Sequence, residues 1–230
     1  MRTVVLVHAP RRGPGRSELL EGLAPCESAA LRTALGLARE GTTVTAITVG
    51  LPREDDVLRA AVALGADRAI RVWDPNVDLD NPSSVGALLA AALREVGFDL
   101  VLAGERSSGW GSSAVGPAVA HYLDVPHLTG ALAIHGDEQL LLVEQRRSAE
   151  SLTLAARPPV VITVLDGPRR HRGPVGFPAA IEVLRPEDGS HRDAVPPLLR
   201  GTPTPSTSPQ AELLPDFSAL LARLQQVRNR

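Results

Sequence analysis

Along the first half of the chain, short β-branched runs alternate with longer Ala- and Leu-rich stretches, and this alternation restricts the fold more than any other feature. Unbroken apolar runs read as strands buried on both faces. A helix between two such runs returns the chain to the same sheet, so the pattern implies a parallel sheet flanked by helices. Residues 3–8, 43–49, 68–72 and 99–103 read as strands, and 26–40, 54–64, 83–96 and 114–123 as helices. Gly41 and Gly65 supply helix stop signals, and Ser83 or Ser84 a start signal. Right-handed crossovers of this kind give an α/β fold with an open, doubly wound, mostly parallel sheet.

After Pro126 the texture changes. Residues 140–143, 151–155 and 159–165 read as strands, with a hairpin among them. From 186 to 215 the chain carries seven prolines and little apolar periodicity, too little to offset its own ordering entropy. Phe217, Leu220, Leu221 and Leu224 then restore a helical stripe that needs a surface to cover it. The expected organisation is a nucleotide-binding α/β domain over 1–185, including a loop at 167–180. A C-terminal extension over 186–230 would pack, as an arm, on a partner.

Composition removes several function classes. All 24 basic residues are Arg, so Schiff-base and P-loop lysine chemistry are excluded. A formal net charge of -2 lacks the electrostatic footprint of a nucleic-acid binder. The single cysteine, Cys26, excludes an intrachain disulfide and fits a reducing compartment. No run approaches the roughly 20 apolar residues of a membrane span, and the N-terminus does not read as a targeting segment. The expectation is a cytoplasmic protein without membrane insertion. The six histidines lack metal-ligand spacing, and neither a nucleophile elbow nor a paired-carboxylate arrangement is recognisable.

The richest loop runs from Gly104 through Ser107, Gly109, Trp110, Gly111, Ser112 and Ser113 to Ala114 and Val115, between a strand and a helix. Glycines permit close backbone approach and a helix N-terminus attracts an anion, so at the carboxyl edge of a parallel sheet this loop suits a phosphate or nucleotide. The plain alternative is a flexible connection. The first strand ends at His8 and Ala9, before Arg11, Arg12 and Arg16. That segment is either an anion grip or a solvated loop. Cys26, after Ala24 and Pro25, stands at a helix start that could lower a thiol pKa, against the reading of a packed, inert cysteine. Arg169, Arg170, His171 and Arg172 precede Pro174, Val175, Gly176, Phe177 and Pro178. This is a solvated turn or a docking loop with Phe177 as its apolar anchor.

Several stretches together resemble one family. Residues 50–74, with Glu54, Leu58, Arg59, Ala61 and Ala63 before Leu64-Gly65-Ala66-Asp67-Arg68-Ala69-Ile70, look like the beta subunit of electron transfer flavoprotein. Pro25-Cys26-Glu27 resembles that family's N-P-x-(C/D)-E segment. Asp99-Leu100-Val101-Leu102-Ala103-Gly104, Val115-Gly116-Pro117 and Asp124-Val125-Pro126 resemble its D-L-V-L-x-G, V-G-P and (G/D)-x-P elements. Pro159-Val160-Val161-Ile162-Thr163 with Gly167-Pro168-Arg169 resembles P-x-V-V-T followed by N-x-P-R. The matches occur in order over nearly the whole chain.

The resemblance implies an adenine-nucleotide-hydrolase-like domain that pairs with a larger alpha subunit as a heterodimer. The alpha subunit holds most of an FAD, and the beta subunit buries AMP or, in some relatives, a second FAD. Electrons arrive from a dehydrogenase and leave to a quinone reductase or similar acceptor; the chain has no catalytic residues of its own. The AMP positions implied are His8, Ala9, Ala24, Pro25, Cys26, Val49, Gly50 and the Gly104–Val115 loop. The docking loop for dehydrogenases falls on Pro174 to Pro178, and the arm with Phe217, Leu220, Leu221 and Leu224 embraces the alpha subunit. The chain departs from the family pattern at Gly109-Trp110-Gly111, where acidic residues are usual, at Ala24, where asparagine is usual, and at His8, where a small residue is common. Trp110 would fill part of the cavity or stack on a base. The rival reading is a stand-alone nucleotide-binding regulator of the universal-stress type, which shares the fold but needs no arm.

Overall fold

A computed structural model describes residues 1–8, 23–106, 113–147, 150–165 and 180–187. The strands are β1 (Arg2–Leu6), β2 (Thr43–Val49), β3 (Arg68–Val72), β4 (Leu100–Gly104), β5 (His127–Gly136), β6 (Leu141–Arg147), β7 (Glu150–Ala156), β8 (Val160–Val164) and β9 (Glu182–Leu184). The helices are α1 (Pro25–Leu37), α2 (Asp55–Ala63), α3 (Pro82–Val96) and α4 (Val115–Leu123). The strands form one sheet in the order β7-β6-β5-β8-β4-β1-β2-β3-β9. From β5 to β9 every pairing is parallel, while β6 and β7 add an antiparallel extension. Among the described residues, no helix is long and apolar enough to cross a membrane.

The doubly wound architecture follows from strands that are apolar on both faces. Val5 and Val7 of the first strand run, with Leu100 and Leu102, pack in a core against Ala30, Leu31 and Leu58 of α1 and α2. The alternate residues Val4, Leu6 and Val101 pack in a second core with Leu88, Leu93 and Val119 of α3 and α4. Successive strand residues point to opposite faces, so each central strand feeds both layers. From β1 the chain winds outward through β2 and β3, then crosses back to β4 on the other side of β1. The direction of winding reverses there, which opens a crevice at the carboxyl ends of β1 and β4.

The elements differ from the sequence reading in detail. Helix α1 stops at Leu37 instead of residue 40. Ala38 is extended, and the Thr42 hydroxyl both accepts from the Arg39 N–H (2.9 Å) and donates to the Arg39 carbonyl (2.7 Å), closing a tight turn. Helix α3 is capped by Asn81, not by Ser83 or Ser84. Pro82 occupies the first turn, and the Asn81 side chain accepts the Ser83 N–H at 2.9 Å. Residues 52–54 form a single 3-10 turn before α2, which begins at Asp55. Strands β5 and β9 have no counterpart in the sequence reading. Gly130, at φ +65°, lies in a register shift that breaks the alternation of β5, and β9 is a three-residue edge strand.

Gly36 is an exposed position of α1 with open space where a Cβ would stand. Gly36→Ala is therefore expected to stabilise the chain by about 0.5–1 kcal/mol, because alanine loses less backbone entropy in a helix. The check is a higher urea midpoint; a lower one would show that α1 does not accept a side chain there.

Candidate functional site

The crevice is a pocket of about 110 Å³. Its floor is the carboxyl ends of three parallel strands: Leu6, Val7 and His8 after β1, Thr48 and Val49 of β2, and Ala103 and Gly104 of β4. Glu27 of α1 and Ser113, Ala114, Val115 and Gly116 around the start of α4 form further wall. Leu79, Val85 and Leu89 bring an apolar side from α3 and the loop before it.

Two helices begin here. Neither Ala24, the N-cap of α1, nor Ala114, the N-cap of α4, caps its helix through a side chain. The helix dipoles there favour negative charge. Ser113, just before α4, holds a left-handed φ of +51°, a conformation uncommon outside glycine. Gly104 lets β4 approach α1 closely: a Cβ there would lie 2.9 Å from Cys26 Cβ and 3.1 Å from the Glu27 nitrogen.

The acidic groups are the unexpected part. Glu27 and Glu54 are both 4% exposed. Backbone N–H groups of His8 and Ala24 hydrogen-bond the Glu27 carboxyl, but burial outweighs them and, with Glu54 nearby, pushes its pKa up to about 8. At neutral pH Glu27 is a neutral acid. Its Oε2 has no partner among the described residues, and neither has the buried Thr48 Oγ1. Glu54 lies 3.6 Å from His8 Nδ1 and 3.5 Å from Arg53 Nε. Gly50 has Glu54 packed against its Cα, which leaves no room for a side chain.

A second polar cluster ties the same sheet edge. The Thr163 hydroxyl donates to Glu105, and the Gly130 N–H donates to Glu105 Oε2 at 2.9 Å. This joins the ends of β4, β8 and the β5 bulge. Burial lowers the His127 pKa against the pull of Glu105, and its Nε2 is unpartnered among the described residues.

Of the residues expected from sequence, His8, Val49, Gly104, Ser113, Ala114 and Val115 converge on the pocket. At the start of α1, Ala24 and Cys26 are buried and Pro25 is exposed, with Cys26 packed against Gly104. Ala9, Ser107, Gly109, Trp110, Gly111 and Ser112 lie outside the described residues, as do the arginines at 11, 12 and 16. So do Pro174, Val175, Gly176, Phe177, Pro178, Phe217, Leu220, Leu221 and Leu224. Sequence reasoning passed over Glu27 and Thr48. The available signal was an acidic residue in the first turn of a helix that follows a parallel strand.

Comparison with known proteins adds the family context. The electron transfer flavoprotein domain matches residues 18–185. The electron transfer flavoprotein subunit beta of Methylophilus methylotrophus is 30% identical over 132 residues, covering 56% of this chain and 50% of the relative. Protein FixA of Azorhizobium caulinodans is 29% identical over 216 residues, covering 84% and 77%. The acryloyl-CoA reductase electron transfer subunit gamma of Anaerotignum propionicum is 25% identical over 155 residues, covering 66% and 58%. The chain spans about half the length of the first curated relatives it matches.

Proposed function

The chain belongs to the electron transfer flavoprotein family, on its beta-subunit side, and on that premise we propose that it is the beta subunit of a heterodimeric electron carrier. The observation that carries this reading is the domain match over residues 18–185, which takes in both helix starts at the pocket. In this reading a larger alpha subunit holds most of an FAD, which supplies the redox chemistry. Electrons come from a partner dehydrogenase and pass to a quinone reductase or similar acceptor. The relative named as an electron transfer subunit of acryloyl-CoA reductase supports a dedicated redox partner.

The pocket residues fit an adenine nucleotide. Apolar walls from Leu79, Val85 and Leu89 suit a base, and the positive dipole ends of α1 and α4 suit a phosphate. The two buried polar atoms without partners, Glu27 Oε2 and Thr48 Oγ1, are groups that a ligand or water would satisfy. A neutral Glu27 adds no charge to repel an anion. The nucleotide's role here is structural: binding the folded form stabilises it by mass action. The loop around Phe177 is proposed to dock the dehydrogenase, and the segment with Phe217, Leu220, Leu221 and Leu224 the alpha subunit.

Mild affinity purification from the native host tests this. The expected product is a yellow one-to-one complex with a larger flavin-binding subunit, releasing an adenine nucleotide on denaturation. Removal of residues 215–230 is expected to lower recovery of the larger subunit. A colourless homodimer would overturn the carrier reading in favour of the stand-alone regulator.

A further inference from the structure

Glu27 sits in the third position of α1, where a glutamate commonly reaches back to the N-cap N–H. The Ala24 N–H bond to its carboxyl fits that role, and the His8 N–H bond adds a tie to the end of β1. Capping alone does not account for the rest of the side chain. A capping carboxylate does not have to be sealed from water, and this one has a second oxygen sealed off and unpartnered among the described residues, on the wall of the pocket. Thr48 Oγ1 on the same wall shares that condition. Buried polar atoms in native proteins nearly always have a partner.

We propose that Glu27 recognises the ligand of this pocket by donating a hydrogen bond from a protonated Oε2 to an acceptor atom of a bound purine nucleotide, which makes occupancy of the pocket proton-linked. The inference rests on the nucleotide reading given above. With one oxygen accepting two backbone N–H bonds, the remaining oxygen carries the hydroxyl when the group is neutral. A nucleotide offers acceptors at its ring nitrogens, ribose and phosphate. An ionised Glu27 offers no donor and places a negative charge against an anionic ligand, so both consequences of ionisation weaken binding.

The titratable groups around Glu27 are separable. Glu54, on the 3-10 turn, favours the neutral form of Glu27. His8 stands between the strand end and Glu54, and Asp80 lines the α3 side of the pocket. Cys26 precedes Glu27 on α1. The Glu27 variant leaves all of these groups in place, so the contrast with wild type isolates Glu27.

The test is AMP binding to the full chain by calorimetry from pH 7 to 9.5, for wild type and Glu27→Gln. Glutamine keeps an oxygen for the backbone N–H groups and a donor at the other position, without titrating. Wild-type affinity is expected to fall above about pH 8, approaching tenfold per pH unit, while the affinity of the variant is expected to stay level across the range. AMP binding with the same pH profile in both proteins would overturn the role of Glu27 and leave the nucleotide reading standing. No AMP binding to wild type at any pH would overturn both. Glu27→Leu, which removes donor and acceptor while remaining apolar, is expected to bind weakly even at pH 7; undiminished binding would also count against the proposal.

Discussion

Glu27→Gln is expected to stabilise the folded chain more and more as pH rises, with the gain levelling off near pH 8. The cause is the raised pKa of Glu27, about 8 in the folded chain against an ordinary value of 4.5. Between those values the folded protein holds a proton that the unfolded chain has released. Its stability therefore falls as pH rises, by up to about 1.4 kcal/mol per unit. The contribution is fully present below about pH 4.5 and lost by about pH 8. Glutamine does not titrate, so the difference between the two proteins isolates this one group from every other carboxylate. At pH 8.5 the variant is expected to be more stable by roughly 3–5 kcal/mol relative to its difference at pH 4.5. Urea unfolding at pH 5, 6.5 and 8.5 measures it. Parallel stability profiles for the two proteins would mean that Glu27 is not held neutral by burial. In the nucleotide reading proposed above, its neutrality spares a bound anion an opposing charge.

Why this group escaped the sequence reading is instructive in physical terms. The central strands announce themselves because burial on both faces demands uninterrupted apolar residues, as in Val4, Val5 and Leu6 or Leu100, Val101 and Leu102. The crevice follows from the order of strands, and the glycine and serine cluster before α4 is visible in the sequence, with Ser113 at its end on the pocket wall. Glu27 looks like any first-turn acid, since nothing local records that β1, β4 and the turn holding Glu54 close over it. Burial of a polar side chain is a property of the assembled layers. Strand β5 was hidden for a related reason: its pairing with β8 shifts register around Gly130, so the period-two signal is lost where the chain bends toward Glu105. The cap of α3 was misplaced by a few residues because Ser83, Ser84 and Asn81 are all competent, and only the position of Pro82 decides among them.

Gly104→Ala is expected to destabilise the chain by about 1–3 kcal/mol and to abolish nucleotide binding with it. A methyl group on Gly104 would lie 2.9 Å from Cys26 Cβ, 3.1 Å from the Cys26 carbonyl carbon and 3.1 Å from the Glu27 nitrogen. None of these atoms is the far end of a flexible side chain. Relief requires the first turn of α1 to move away from β4, and that turn carries Glu27 on the pocket wall. The same chemical change at Gly36, on the same helix, meets open space and is expected to have the opposite sign. The pair separates the entropy of glycine from the room it leaves. For a chain of this size each kcal/mol shifts the melting temperature by about 2–4 °C, so Gly36→Ala should melt above wild type and Gly104→Ala below it. If Gly104→Ala melts with wild type and still binds AMP, the close approach of β4 to α1 does not hold the pocket in shape. Loss of binding without loss of stability would place the effect in the geometry of the α1 turn alone, with the fold indifferent to where that turn sits.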